Sequence, residues 1–486
     1  MVANFSGHKL MQSIEYLGAL PQVAGGRDSV GQVGLRVQSV RLQRWAIGAV
    51  YAACFTAPIT HSLSQLAWAL MLVIAIIFVK RHWSYFGRSL LFWCVVFYCS
   101  YVLVRGGYAA WIESPSIAES HWYGVKQWIK SGPFIIMLFG VLLVATGDWI
   151  RHGLGVLIAW ILGFLVFLSL NTSLEPLLNA MQGNSRFFFE IGYGSLTLIS
   201  PVFALGVLVL VVWSTFWALR QRSRHQVFAL LAVIASVFLL AVATVVLVAP
   251  KSRGSWVSFV IGCIVVLVFM CWVYRKELPL WWKESVLGLL FMVIFAGAAF
   301  YTSWGVVEAR WSQESDTVAA LAQGKHLEEM DRSSFTIRFA YMVYGFEQVK
   351  SRWLIGYGPA GMGAIGDYHG GWHNIDPDVP PQMTGRISNL HNSHLGALFR
   401  FGIIGYLPIM IVIGLATLEA SRNLRLGSAQ RVLGIFVLGF VAILMFWGMT
   451  EEFFEKFGVE QLYAPILGVI IASFLSRRLT SHSTVH

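Results

Sequence analysis

Twelve apolar stretches, most of them close to the length of a bilayer-crossing helix, constrain this chain more than any motif within it. They fall at residues 45–61, 63–79, 89–104, 133–147, 153–170, 194–218, 226–249, 255–274, 284–301, 403–418, 431–449 and 460–476. A helical span needs about 17–25 mostly apolar residues. Only 12% of residues are charged and 57% are hydrophobic, against roughly 25% charged in a soluble protein. So little charge cannot clothe 486 residues in water, and lipid must cover the surface instead. The expected fold is an all-α polytopic transmembrane helix bundle of about twelve spans. Its divisions are a polar tail 1–44, spans one to nine over 45–301, a long loop 302–402, spans ten to twelve over 403–476, and a tail 477–486.

The net charge of +11 would suggest nucleic acid in a soluble protein. Here no basic run is interleaved with aromatics, so no nucleic-acid partner is expected. Lys and Arg are richer in the loops near 80–88, 151, 220–224, 275–283 and 422–431 than in the alternate set. That bias places the richer set, and both tails, in the cytoplasm. The outer side then receives 105–132, 171–193, 250–254, 302–402 and the acidic segment 450–459 with Glu451, Glu452 and Glu455. The first 44 residues hold no apolar core, so no cleavable signal peptide is expected. Cys54, Cys94, Cys99, Cys263 and Cys271 all lie in apolar stretches and read as small core residues, not as a disulfide or zinc framework.

A loop of 101 residues, 302–402, is too long to be a mere connector. Phe335, Phe339, Met342 and Phe346 recur at helical spacing, which predicts a helix over 332–350, with Ser333 or Ser334 as its cap. Residues 355–366 form a Gly-rich turn region, and 367–389, with Pro377, Pro380 and Pro381, should be irregular. From Leu390 the chain runs toward the next span.

The middles of the spans are almost free of ionisable groups, which argues against ion-coupled transport. The polar candidates gather on the outer side. Arg253, between Ser252 and Gly254, offers a planar fork for phosphate oxygens beside small residues that permit close approach; an Arg snorkelling to lipid headgroups is the plain alternative. Arg338 lies in the apolar run FTIRFAYMVYGF, where a charge needs an anion; that anion is either a ligand or a nearby acid such as Glu347. Arg186 has Glu190 four residues on, a spacing that suits a pair on one helical turn. His391 and His394 sit where the long loop enters a span, and an imidazole can act as a base near neutral pH. Asp367, His369 and His373 would hold a metal at i, i+4 only on a helix, which Gly370 and Gly371 oppose.

His391-Asn392, nine residues, then Gly402-x-x-Gly405 resembles the signature of the O-antigen ligase and polymerase superfamily, which also includes bacterial O-linked oligosaccharyltransferases. Ser252-Arg253-Gly254 resembles the arginine motif upstream of that family's large outer loop. Arg338 and the following SRWLIGYGPAGMG are similar to its loop helix and Gly-rich turn. Together these cover about residues 250–405. The resemblance implies a multi-pass protein of a Gram-negative inner membrane, with the 302–402 loop in the periplasm. It implies transfer of a glycan from undecaprenyl pyrophosphate, with neither metal nor other cofactor. The acceptor is a sugar hydroxyl of lipid A-core in ligases, another lipid-linked glycan in polymerases, and a protein hydroxyl in oligosaccharyltransferases.

The residue chemistry suits that reaction. A metal-free enzyme must stabilise a departing pyrophosphate with fixed cations, a role for Arg253, Arg338 and Arg186. A base must take the hydroxyl proton, a role for His391, with Asn392, Ser252 and Gly254 in support. His391 is preferred to His394 because the spacing to Gly402 fits His391. Direct displacement would invert the anomeric carbon. A lipid-linked glycan flippase without catalysis is the reading from another class, and it expects a polar path through the spans.

Overall fold

The structure is a computed structural model that describes residues 40–113, 115–171, 190–191, 194–195, 200–209, 211, 226–248, 252–275, 308, 315, 319–320, 322–323, 334–361, 390–451 and 460–483. In chain order the helices used below are α1 (Val40–Thr56), α2 (His61–Arg81), α3 (Trp83–Phe86), α4 (Leu90–Tyr108), α5 (Ala118–Ser131), α6 (Pro133–Ala145), α7 (Trp149–Asn171), α8 (Ser200–Val209), α9 (Gln226–Val248), α10 (Arg253–Val273), α11 (Ser334–Ser351), α12 (Ser393–Asn423), α13 (Ser428–Gly448) and α14 (Glu460–Ser483). A π-helical turn, Ala109–Glu113, extends α4. Among the described residues the only sheet is a two-residue antiparallel pair, β1 (Glu190–Ile191) with β2 (Gly194–Ser195).

The sequence of α6, PFIIMLFGVLLVA, is apolar all round and is buried nearly throughout. Such a helix belongs at the centre of a bundle, and it packs against α14, α1, α2 and α4. By contrast α2 leaves Leu63, Leu66, Leu70, Val73, Ile76 and Ile77 exposed, the face expected of a helix solvated by hydrocarbon. Between α10 and α13 the backbones come close at Gly262 and Gly439, where a Cβ on Gly439 would sit 3.1 Å from the Gly262 carbonyl oxygen. Small residues permit such approach in membranes. The pairing carries the start of α10 to the end of α13, and there the candidate site lies.

Seven helices among the described residues are long and apolar enough to cross a membrane, so the all-α polytopic class holds. Those residues do not cover all twelve expected spans: much of the stretch expected at 194–218 and the whole of 284–301 lie outside the described residues. Residues 105–132, expected as an outer loop, are mostly helical. Helix α5 is amphipathic: Glu119, Trp122, Tyr123 and Lys126 face out while His121, Val125 and Trp128 are buried. Its polar face hides it from a search for apolar runs.

Helix α12 begins at Ser393, ten residues before the expected span, and is broken at Gly402 (φ 60°, ψ −168°). The backbone groups freed by the break are satisfied by the Gly-rich turn. Tyr357 N donates to Phe399 O and Gly358 N to Arg400 O, each at 2.8 Å, while Ile403 N donates to Trp353 O at 2.8 Å. Non-helical backbone in a membrane protein requires this kind of internal partner. A Cβ at Gly402 would lie 2.2 Å from the Leu354 carbonyl, so the position needs glycine for its dihedral and for the contact.

Candidate active site

Four segments meet at one end of the bundle: the starts of α10 and α12, the end of α13, and the first half of α11. Ser252 caps α10, its side chain accepting from Ser255 N at 3.4 Å. The next turn abuts α13, because a Cβ on Gly254 would meet Thr450 Oγ1 at 3.2 Å and Trp447 Nε1 at 3.5 Å. Asn392 caps α12, Oδ1 accepting from Leu395 N at 2.9 Å. Ser393 then ties that helix to the end of α13, donating from Oγ to Glu451 O at 2.8 Å. Two helix N-termini thus flank residues 450–451. Such ends attract anions through unpaired N–H groups and the helix dipole.

Glu451 is the centre of the cluster. Arg338 Nη1 lies 2.9 Å from Glu451 Oε1, and His391 Nδ1 lies 3.6 Å from Glu451 Oε2. Arg338 also reaches Thr450 O at 3.4 Å. The carboxylate is 14% exposed, whereas Arg338 is 38% and His391 26% exposed. Both basic groups are therefore open to an incoming molecule while the acid that holds them is nearly covered. His391 adopts φ 49°, the only positive φ of a non-glycine residue among those described. This sparsely populated conformation is worth scrutiny as a functional position. The Tyr341 ring stacks on it at 6.3 Å between centroids, and burial raises the Tyr341 phenol above its ordinary pKa, so that neighbour stays neutral.

His394 is held differently. Its Nε2 is 3.2 Å from Met445 O and its Nδ1 is 2.9 Å from the Tyr406 hydroxyl. Both ring nitrogens are engaged by the protein, one on α13 and one on its own helix.

The predicted loop helix is present as α11, and the Gly-rich turn is present through Gly361. Arg338 is paired, but with Glu451 and not with Glu347 as the local sequence suggested. The described ends of 250–254 join the cluster through Ser252 and Gly254, with Arg253 as the first residue of α10. The Arg253 side chain, Arg186, and the Asp367–His369–His373 group lie outside the described residues. Glu190 lies in β1. Among the described residues no group of His, Cys, Asp or Glu could hold a metal. The Gly-rich turn is no phosphate cradle in its described part: the N–H groups of Gly356, Tyr357, Gly358 and Gly361 all donate to carbonyls.

Sequence reasoning missed the role of Glu451, noting it only within an acidic segment. The one signal was a carboxylate immediately after the apolar α13. Its partners are 113 and 60 positions away in the chain, at Arg338 and His391, so spacing could not reveal them.

No curated protein matches the chain. Residues 237–410 match the model of the family described as O-antigen ligase. That stretch contains Ser252, Arg253, Gly254, Arg338, His391 and Asn392, and also Gly402 at the helix break with Gly405 one turn beyond. The match covers about a third of the chain, and for that stretch it supports a relationship to the O-antigen ligase superfamily.

Proposed function

We propose that this protein is an O-antigen ligase of a Gram-negative inner membrane, working on the periplasmic face. The family indicates O-antigen ligase-type or related glycosyltransferase activity. In our reading the donor is a glycan on undecaprenyl pyrophosphate and the acceptor is a hydroxyl of lipid A-core. His391 takes the hydroxyl proton, the oxygen attacks the anomeric carbon with inversion, and the bond to the pyrophosphate oxygen breaks. Arg253 and Arg338, with Arg186 as a further candidate, meet the charge that develops on the leaving pyrophosphate. No metal or nucleotide takes part.

The observation that carries this reading is the bridging of Arg338 and His391 by Glu451, between two helix N-termini. An arriving pyrophosphate competes with Glu451 for Arg338. Glu451 is then left to His391, where it stabilises the imidazolium formed on proton transfer. One cluster so provides a cation for the leaving group and a supported base for the nucleophile. The cluster sits at one mouth of the bundle, which fits a transferase better than a flippase.

Three experiments test this. Deletion of the gene followed by a lipopolysaccharide gel should show core without any glycan; core bearing one repeat unit would make the protein a polymerase. Purified protein with lipid-linked donor and lipid A-core should form product in the presence of a chelator, and loss of activity there would overturn the metal-free mechanism. Cysteine labelling at Lys325 in intact cells should succeed if 302–402 is periplasmic, and labelling only after permeabilisation would reverse the orientation.

A further inference from the structure

Helix α11 is gripped at its far end by a second carboxylate. Glu113, at the end of the π-helical turn, accepts from Arg105 Nη2 at 2.6 Å and from Arg352 Nη1 at 2.7 Å. Arg105 belongs to α4, and Arg352 follows the last turn of α11. Arg105 is only 4% exposed, and it also donates to Ile355 O at 3.1 Å and Gly356 O at 2.7 Å. His121 of α5 accepts from Ala360 N at 3.2 Å. The π turn, the Gly-rich turn and the broken α12 are therefore one bonded unit. Arg338 lies on α11 fourteen residues before Arg352, about 21 Å along a helix at 1.5 Å per residue.

We infer that Glu113 is a positioning residue for the transfer reaction, acting through Arg338. This rests on the reading of Arg338 as a pyrophosphate-binding group. The physical reason is that α11 is held at several points, and the donor contests one of them. Its first half meets the bundle through Glu451, a contact the donor itself competes for, through Tyr341 stacked on His391, and through Met342 Sδ, which accepts from Asn392 Nδ2 at 3.7 Å. When Arg338 turns to the donor, the Glu113 end still holds α11 through charge, beside Leu390 and Leu395 packed on Gly345 and Val349 packed with Leu390 and Phe399. A helix fixed at that end keeps Arg338 in place while its local ion pair is exchanged. Displacements of about 1 Å are enough to cost much of a positioned group's effect.

The test is a double-mutant cycle on purified protein, reading donor affinity and turnover for wild type, Glu113→Gln, Arg338→Ala and the double variant. Glu113→Gln keeps the shape and one acceptor oxygen but removes the charge. Alone it should weaken kcat/KM by about ten- to a hundredfold. In the Arg338→Ala background its effect on donor affinity should fall to within about threefold, since contacting or coupled sites are non-additive. Arg352→Gln, which leaves the buried Arg105–Glu113 pair intact, is the second variant should Glu113→Gln not fold, and should show the same non-additivity. Equal effects of Glu113→Gln with and without Arg338, or an unchanged kcat/KM in Glu113→Gln, would overturn the inference while leaving the proposed function standing. If Arg338→Ala itself binds and turns over donor normally, the reading of Arg338 falls, and the inference with it.

Discussion

The two carboxylate-centred clusters at the ends of α11 use similar residues for different ends. At Glu113, Arg105 is 4% exposed and donates to two backbone carbonyls as well as to the acid. At Glu451, Arg338 is 38% exposed, and its backbone contact is a long one of 3.4 Å to Thr450 O. A buried arginine held by several bonds is expensive to disturb. An exposed one in an ion pair is cheap to re-pair, because such a pair is worth little in water. The difference teaches that an ion pair is a structural bolt or an exchangeable ligand according to burial and the number of other bonds, not according to residue type.

The largest effect that could break this comparison belongs to His391. His391→Ala should lower turnover by about 10²–10⁴, as for loss of a general base, while leaving protein level and donor binding largely intact. A purified-enzyme assay in which His391→Ala works and His394→Ala is dead would reverse the assignment.

Next in size are the arginines. Arg338→Ala and Arg253→Ala should each cost about 10²–10³ in turnover, typical of one electrostatic stabiliser. Lys should rescue only partly, since it lacks the bidentate fork. Arg186→Ala should cost less. Full turnover in either of the first two Ala variants would remove that residue from the site and leave the Glu451 cluster an ordinary ion pair.

Glu451→Gln should have a smaller effect, about ten- to 150-fold, as expected for one hydrogen bond to a charged group worth about 1.5–3 kcal/mol. The loss should appear mainly in kcat, because the carboxylate supports the imidazolium and competes with donor for Arg338. A fall confined to donor affinity would show that Glu451 serves only to preset Arg338.

The smallest effect on chemistry is expected from His394→Ala. It should retain measurable turnover and instead lower thermal stability, since it removes partners from Met445 O and Tyr406 Oη, at about 1–3 kcal/mol for polar groups left unsatisfied. Thermal melts of the purified variant in detergent, beside its turnover, separate the two roles.

Much of this molecule could be read from its residues. The apolar runs of α2, α4, α7, α10, α12 and α13 are visible because a lipid-facing helix must be apolar along its whole length. Helix α11 was legible from Phe335, Phe339, Met342 and Phe346 at helical spacing. Helix α5 was not, because its charged and aromatic outer face masks the buried one. The start of α12 was misplaced because His391, His394 and Arg400 make its first turns look like loop. Gly402 and Gly405 were recognised as a pattern, but the pattern alone did not show that Gly402 breaks a helix and that the Gly-rich turn completes its hydrogen bonds.

The sequence by itself determined the medium, the helical class, the family resemblance and the choice of Arg338 and His391 as candidates. These follow from local quantities: hydropathy over about twenty residues, short spacings and residue chemistry. Only the tertiary structure decided which acid serves which base. Glu451 reaches Arg338 and His391 because α13 ends beside the starts of α10 and α12, and Glu113 reaches Arg352 because the π turn lies under the end of α11. Charge pairing acts over a few ångströms in space and is indifferent to distance along the chain, so helix packing had to bring those partners together before their roles could be read.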